Sequence, residues 1–342
     1  MKSLVLKNVG RNFEFDLENH PMPIISKNEI LVKIKSCGVC HHDIAIMQGK
    51  LRRGVKNNCI LGHEISGEVI ETGDQVNTIK VGDKIVSTLN SSCGDCDFCN
   101  RGLDYNCINS SGYGHGIDGG FREYMSLNVG NALKVPSNIN LIDSSILACP
   151  IAVSLRGLKY VSKIKPGFTV LITGSGGGLG LHSAKISKYL DTNVICLTTS
   201  VLKENKIREL TKSEVILVDD FDFSEIVLAM TDDLGVDLVV NTVGSFVFEQ
   251  SIRSLKQYGK MLVLGEIKGI NTSINLAELI FRGISIESSC GANKSDILEA
   301  IELVNKGYIK PEVSETFKLE EANKAFEKIV NKNSLGRVVL IP

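Results

Sequence analysis

Hydrophobic and polar residues alternate in short runs over the first 150 positions, and then the rhythm changes. The stretches "EILVKIKSCG", "ISGEVIETG", "GDKIVSTL" and "FREYMSL" are brief, alternating and broken by glycine and turn residues, a pattern that predicts an antiparallel β domain. From "PGFTVLITG" onward, apolar strands alternate with helical segments: "TVLITG", "GLGLHSAKISKYL", "NVICLTT", "ENKIRELTK", "EVILV", "FSEIVLAM", "VDLVVNTV", "FEQSIRSLK" and "GKMLVLG". That alternation predicts an α/β fold with a doubly wound parallel sheet. The tail carries two amphipathic helices, "KSDILEAIELVNKG" and "LEEANKAFEKIV", and a last strand, "GRVVLIP". The expected organisation is a β domain over 1–150, a parallel-sheet domain over 151–290, and a tail over 291–342 that folds back onto the first domain.

A chain of 342 residues is long enough for two domains of roughly 100–200 residues each. A net charge of −1 gives no long-range attraction for nucleic acid or anionic membrane. No apolar run reaches the roughly 20 residues of a membrane-spanning helix, and "MKSLVLKNVGRNFEF" turns polar too soon for a secretory signal. A cytoplasmic protein is expected. Its ten cysteines then point to metal or catalysis rather than to a disulfide framework. Cys59, Cys196 and Cys290, and with them Cys37, read as small buried hydrophobes.

"VLITGSGGGLGLHSAKIS" leaves a strand, turns on glycines and opens a helix. Such glycines allow a tight turn and let a pyrophosphate approach the backbone at the helix N-terminus. Gly174, Gly177 and Gly180 form GxxGxxG, with Gly176, Gly178 and Leu179 between them, so this stretch predicts a dinucleotide site. An acidic residue about 20 positions on would bind ribose hydroxyls and repel a 2′-phosphate. Thr198, Thr199 and Ser200, followed by Lys203, stand there instead. Hydroxyls and a cation suit a phosphate, so NADPH is expected over NADH. The competing reading is that these residues cap the next helix.

"CGDCDFCNRGLDYNC" sets Cys93, Cys96, Cys99 and Cys107 at gaps of two, two and seven residues. Four thiolates close a tetrahedral zinc shell and leave no position for substrate, so a structural site is expected. An iron–sulfur cluster uses the same ligand type. "CGVCHHD", at 37–43, is open on its own terms: a redox pair, half of a zinc knuckle, or part of an active site completed elsewhere.

Together with "LGHEISGEV" (61–69), "LACP" (147–150), the four-cysteine stretch and the glycine turn, this segment resembles the zinc-containing medium-chain dehydrogenase/reductases, the alcohol dehydrogenase superfamily. The resemblance spans essentially the whole chain. It implies a GroES-like β domain interrupted by a Rossmann domain. It also implies that Cys40, His63 and Cys149 hold a catalytic zinc, with Glu64 near the metal, Asp43 orienting the histidine ligand, and Cys37 outside the ligand set. His41 takes a position commonly near the cofactor pyrophosphate. Zinc then acts as a Lewis acid on an alcohol or carbonyl oxygen while hydride passes to or from nicotinamide. The family is usually dimeric or tetrameric, so a homodimer or homotetramer is expected.

Two positions depart from the family pattern. His42 stands where many members carry a relay serine or threonine, and an imidazole can shuttle protons near neutral pH. Val153 stands where a threonine often faces the nicotinamide. The chain is also similar to the archaeal acryloyl-CoA reductase branch, in "LTTSVLKENK", "NTVGSFVFEQSIRSLK" and "GYIKPEVSETFKLEEANKAFEKI". An alcohol/aldehyde substrate is the main expectation. An acyl-CoA substrate reduced at its enoyl bond is the alternative, and a non-catalytic NADPH-binding protein is the third.

Overall fold

The strand Glu29–Val39 is the hub of the first unit, because it presents Ile30, Val32, Ile34, Cys37 and Val39 to the interior. In this computed structural model, which describes residues 1–10, 13–218 and 222–342, the chain divides into two compact units. One is Met1–Ala152 with Gly291–Pro342; the other is Val153–Cys290.

In the first unit a seven-stranded sheet runs in the order Val313–Lys318, Arg337–Ile341, Glu29–Val39, Glu64–Thr72, Lys84–Ser87, Ala132–Lys134, with Tyr124–Asn128 also paired to Glu29–Val39. Neighbours are antiparallel, except that Val313–Lys318 lies parallel to Arg337–Ile341. The tail therefore completes the sheet: Val338 and Leu340 register with Val39 and Cys37. Its helix Ala322–Val330 presents Phe326, which stacks on Phe15 at 5.1 Å and meets Phe121 edge-on at 6.1 Å. Phe121, Ile30, Ile65 and Met125 are fully buried here, and each such side chain contributes roughly 1.5–3 kcal/mol.

In the second unit six parallel strands run in the order Glu214–Leu217, Asn193–Thr198, Thr169–Ile172, Val236–Asn241, Leu255–Val263, Ser285–Ser288. Counted along the chain this is 3-2-1-4-5-6, the order that puts a crevice at the strand ends where the winding reverses. The helix Gly178–Tyr189 follows the first of these strands.

Among the elements outside the sequence expectation are the helix Leu276–Arg282 and the strands Ser285–Ser288 and Val313–Lys318. The helix buries no residue despite its apolar sequence, and the two strands carry mostly exposed positions. Cys290 is also a correction. It is exposed, whereas Cys37, Cys59 and Cys196 are buried. Among the described residues no helix is long and apolar enough to cross a membrane.

Candidate metal centre and cofactor turn

Cys40, His63, Glu64 and Cys149 are buried, and their ligand atoms lie within 4.8 Å of one another. Each arrives on a different local device. Cys40 follows the hub strand in extended conformation and precedes the helix His41–Met47. Asp43, in the first turn, accepts the Cys40 N–H at 2.8 Å and the Gly62 N–H at 3.3 Å. One fully buried carboxylate thus pins both ligand-bearing loops. The same carboxylate lies 3.8 Å from His63 Nδ1, while His63 Nε2 faces Glu64 at 3.8 Å.

Glycines make the approach possible. Gly62 has φ +93, and a Cβ there would meet Phe121 and Cys37 below 3 Å, so the residue before His63 must be glycine. A Cβ on Gly38 would fall 2.0 Å from a Glu64 oxygen. The glycine of "CGVC" therefore clears space for the Glu64 carboxylate. Cys149 sits in a widened π-type turn, Leu147–Ile151, containing Pro150. Proline removes an N–H from the helix ladder, and single-turn π segments recur at functional sites.

Arg337 was not picked out by the sequence reading. It is buried, with Nη2 2.8 Å from Glu64 Oε1 and 3.8 Å from Cys149 Sγ, and Nη1 donates to the Val39 carbonyl at 3.4 Å. Its signal in the sequence is a lone cation opening the otherwise apolar run "RVVLI". Burial pushes Glu64 up to about 7 despite Arg337, and Asp43 up to about 6 despite His63. Burial alone would lower His63, but Cys40 and the two carboxylates outweigh it and raise the imidazole to about 9. The hydrogen bond between Cys40 and Cys149 pushes the first thiol well down and the second well up.

Those charges call for a cation. His63 Nδ1 and Glu64 Oε2 are buried without a hydrogen-bond partner, while Glu64 Oε1 has only the Arg337 guanidinium; such unsatisfied groups are costly in a low dielectric. Two sulfurs and an imidazole are donors that zinc takes. A dication would balance two thiolates, while Arg337 faces Glu64. The residues fit zinc.

The second donor set is Cys93, Cys96, Cys99 and Cys107, also within 4.8 Å of one another. Sulfur separations are 3.4 Å for Cys93–Cys107, 3.6 Å for Cys96–Cys99 and 4.0 Å for Cys93–Cys99. This lobe is tied to the tail. The Tyr105 N–H donates to Asn293 Oδ1 at 3.1 Å, and Asp104 accepts the Lys294 N–H at 3.1 Å.

His42 is half-buried, with its ring 5.2 Å from that of His63. Its Nε2 lies 3.2 Å from His115 Nδ1, and His115 Nε2 lies 2.8 Å from the Arg53 carbonyl. Burial, reinforced by the charge of His63, pushes His42 down to about 4. His115 was also missed by the sequence reading, because only the fold brings it to His42. His41 is the exposed first residue of the helix.

In the second unit Gly174 has φ +65, and a Cβ there would meet Thr242 Oγ1 at 2.7 Å. Gly177 donates to the Gly174 carbonyl at 3.0 Å, the helix begins at Gly178, and the Leu179 carbonyl accepts from Ser154 Oγ at 3.3 Å. A Cβ on Gly180 would strike the Gly174 carbonyl. Lys203 reaches across this turn, its Cδ 2.9 Å from where a Gly176 Cβ would stand. Thr198 is buried at its strand end and accepts the Ser200 N–H at 3.2 Å. Thr199 is exposed. Ser200 precedes the helix Val201–Thr211, but its side chain makes no capping hydrogen bond.

Residues 26–137 match the alcohol dehydrogenase GroES-like domain family, and residues 212–340 match the zinc-binding dehydrogenase family. The chain is 30% identical to an acryloyl-coenzyme A reductase of Sulfurisphaera tokodaii, covering 100% of both chains. It is 31% identical to an alcohol dehydrogenase of Geobacillus stearothermophilus, covering 99% of this chain and 98% of the other. The solved alcohol dehydrogenase of Aeropyrum pernix superimposes with a TM-score of 0.92 at 27% identity, covering 100% of both chains.

Two outcomes are expected. Cys93→Ser lowers zinc content measured by atomic absorption and reduces the melting temperature by roughly 10 °C; unchanged metal and melting would refute a metal in that lobe. Gly62→Ala destabilises the first unit by about 2 kcal/mol or more in urea denaturation, through backbone strain and the clash with Phe121.

Proposed function

The chain belongs to the medium-chain zinc-binding dehydrogenase/reductase family and is an NAD(P)-dependent oxidoreductase, and on that premise we propose the roles of its residues. Cys40, His63 and Cys149 hold the catalytic zinc, and the substrate is an alcohol or aldehyde. The observation that carries this reading is the convergence of residues 40, 63, 64 and 149 on one buried point. Zinc, when bound, supplies Lewis-acid stabilisation of negative charge on the substrate oxygen.

The chain's own groups do the rest. Asp43 orients His63 and holds the Cys40 and Gly62 loops in register. Glu64 and Arg337 set the charge beside the donors. His42 takes or gives the proton of the alcohol and exchanges it with His115, which the Arg53 carbonyl orients and which is half-exposed to solvent, where the proton leaves or enters. This route replaces the relay hydroxyl that His42 displaces. Cys93, Cys96, Cys99 and Cys107 hold a structural zinc.

The glycines 174, 176, 177, 178 and 180, with Leu179, form the turn for the cofactor pyrophosphate. Lys203, Thr198, Thr199 and Ser200 recognise a 2′-phosphate, so NADPH is preferred. Support comes from the Lys203 side chain lying over Gly176 and from a Ser200 hydroxyl not spent on capping. The protein works in the cytoplasm as a homodimer or homotetramer. The strand Ser285–Ser288, which ends its sheet, and the exposed Ile280 and Phe281 offer a surface for that contact.

A second reading is favoured by the full-length similarity to an acryloyl-coenzyme A reductase and by His42. An enoyl thioester accepts hydride at its β-carbon, and hydrogen bonds suffice to stabilise its oxygen.

Cys40→Ala separates the two. Under the main reading, NADPH-dependent aldehyde reduction falls by about 10³-fold or more in a variant that keeps its circular dichroism spectrum. Retention of crotonyl-CoA reduction by that variant would replace the main reading with the second. Lys203→Ala is expected to raise KM for NADPH roughly tenfold and leave KM for NADH within twofold; equal changes for both cofactors would reject the phosphate role.

A further inference from the structure

The helix that begins at His41 runs into "GKLRRGVK", residues 49–56, with four cations in seven positions. Residues 48–58 contain no carboxylate, in a chain whose net charge is −1. The segment is built rather than loose. Leu51 and Val55 are half-buried and pack against the core of the first unit, while Lys50, Arg52, Arg53 and Lys56 are exposed. His115 fixes its backbone from two sides: Nε2 lies 2.8 Å from the Arg53 carbonyl, and the Lys56 N–H donates to the His115 carbonyl at 2.7 Å. His115 in turn contacts His42, whose ring lies against His63. The cations are therefore anchored two imidazole rings from the donor set.

Of the four, Lys56 is paired with Asp118 at 2.6 Å. Arg52 donates from Nε to the Gly49 carbonyl at 2.7 Å, and its guanidinium lies against Gly49. Among the described residues no carboxylate pairs with Arg52 or Arg53. Arginine presents a planar fork matched to phosphate oxygens.

We propose that Arg52 and Arg53 form a subsite for the phosphate-bearing handle of an acyl thioester substrate, holding the nucleotide end while the acyl end reaches the donor set. The proposal rests on the enoyl-thioester reading given above. It names a specificity element on the substrate side, distinct from Lys203 and the glycine turn in the other unit.

The test uses the zinc-loaded full chain and the double variant Arg52→Ala, Arg53→Ala. Both substitutions spare the Arg53 carbonyl that His115 contacts. KM for crotonyl-CoA is expected to rise roughly tenfold and the wild-type value to become strongly salt-dependent. KM for crotonyl-pantetheine, which lacks the nucleotide phosphates, and KM for NADPH are expected to stay within twofold. An unchanged KM for crotonyl-CoA overturns the proposal, as does an equal rise for crotonyl-pantetheine. A rise for NADPH alone assigns the cations to the cofactor and also overturns it. If wild type reduces aldehydes but not crotonyl-CoA, the thioester reading fails by itself. Calorimetry with free coenzyme A then decides the subsite: binding by wild type that the double variant loses upholds it, and absence of binding overturns it.

Discussion

Five ionisable side chains and one guanidinium share a space from which water is nearly excluded, and the first unit is organised around making that tolerable. Asp43 and Glu64 are fully buried; Cys40, His63, Cys149 and Arg337 nearly so. Isolated charges in such a medium cost several kcal/mol each. The local solutions are specific. Asp43 is satisfied by two backbone N–H groups, Glu64 by an arginine, and the sulfurs and imidazole are left facing one another. A cation among the donors would relieve the arrangement, so the same electrostatics that strain the fold also suit the site to a metal.

Backbone geometry follows from that requirement. Gly62 turns the chain where a side chain would strike Phe121, Gly38 yields its space to Glu64, and Pro150 sits in the widened turn that delivers Cys149. The motifs "CGVC", "GHE" and "LACP" are thus packing solutions as much as ligand sets. In the second unit the same economy appears at Gly174, whose positive φ lets the chain turn beneath Thr242 and open the helix at Gly178.

The parts of this molecule that were legible in the sequence are those whose cause is local. The parallel sheet announced itself because its central strands are buried on both faces and read as unbroken apolar runs. The four-cysteine set was legible because its spacing is set by one short loop, whereas Cys40, His63 and Cys149 lie far apart along the chain and were legible only through the family resemblance. Arg337 and His115 were not legible, because each acquires its meaning from a partner far along the chain: Glu64 for the first, His42 for the second. The strands Ser285–Ser288 and Val313–Lys318 escaped for another reason. They lie at sheet edges with largely exposed side chains, so pairing rather than hydrophobic alternation defines them. Cys290 misled because a thiol gives no local sign of whether it will be covered.

The guanidinium that balances Glu64 lies on a strand translated after the whole second unit. Its contact with the Val39 carbonyl spans 298 residues of chain. At ribosomal rates of roughly 5–20 residues per second, the hub strand emerges tens of seconds before that partner. During this interval Glu64 has no countercharge and the sheet has an open edge beside Cys37 and Val39. A nascent chain in that state is exposed to edge-to-edge pairing with its neighbours, and a cell making this protein has reason to shield it until the last strand arrives.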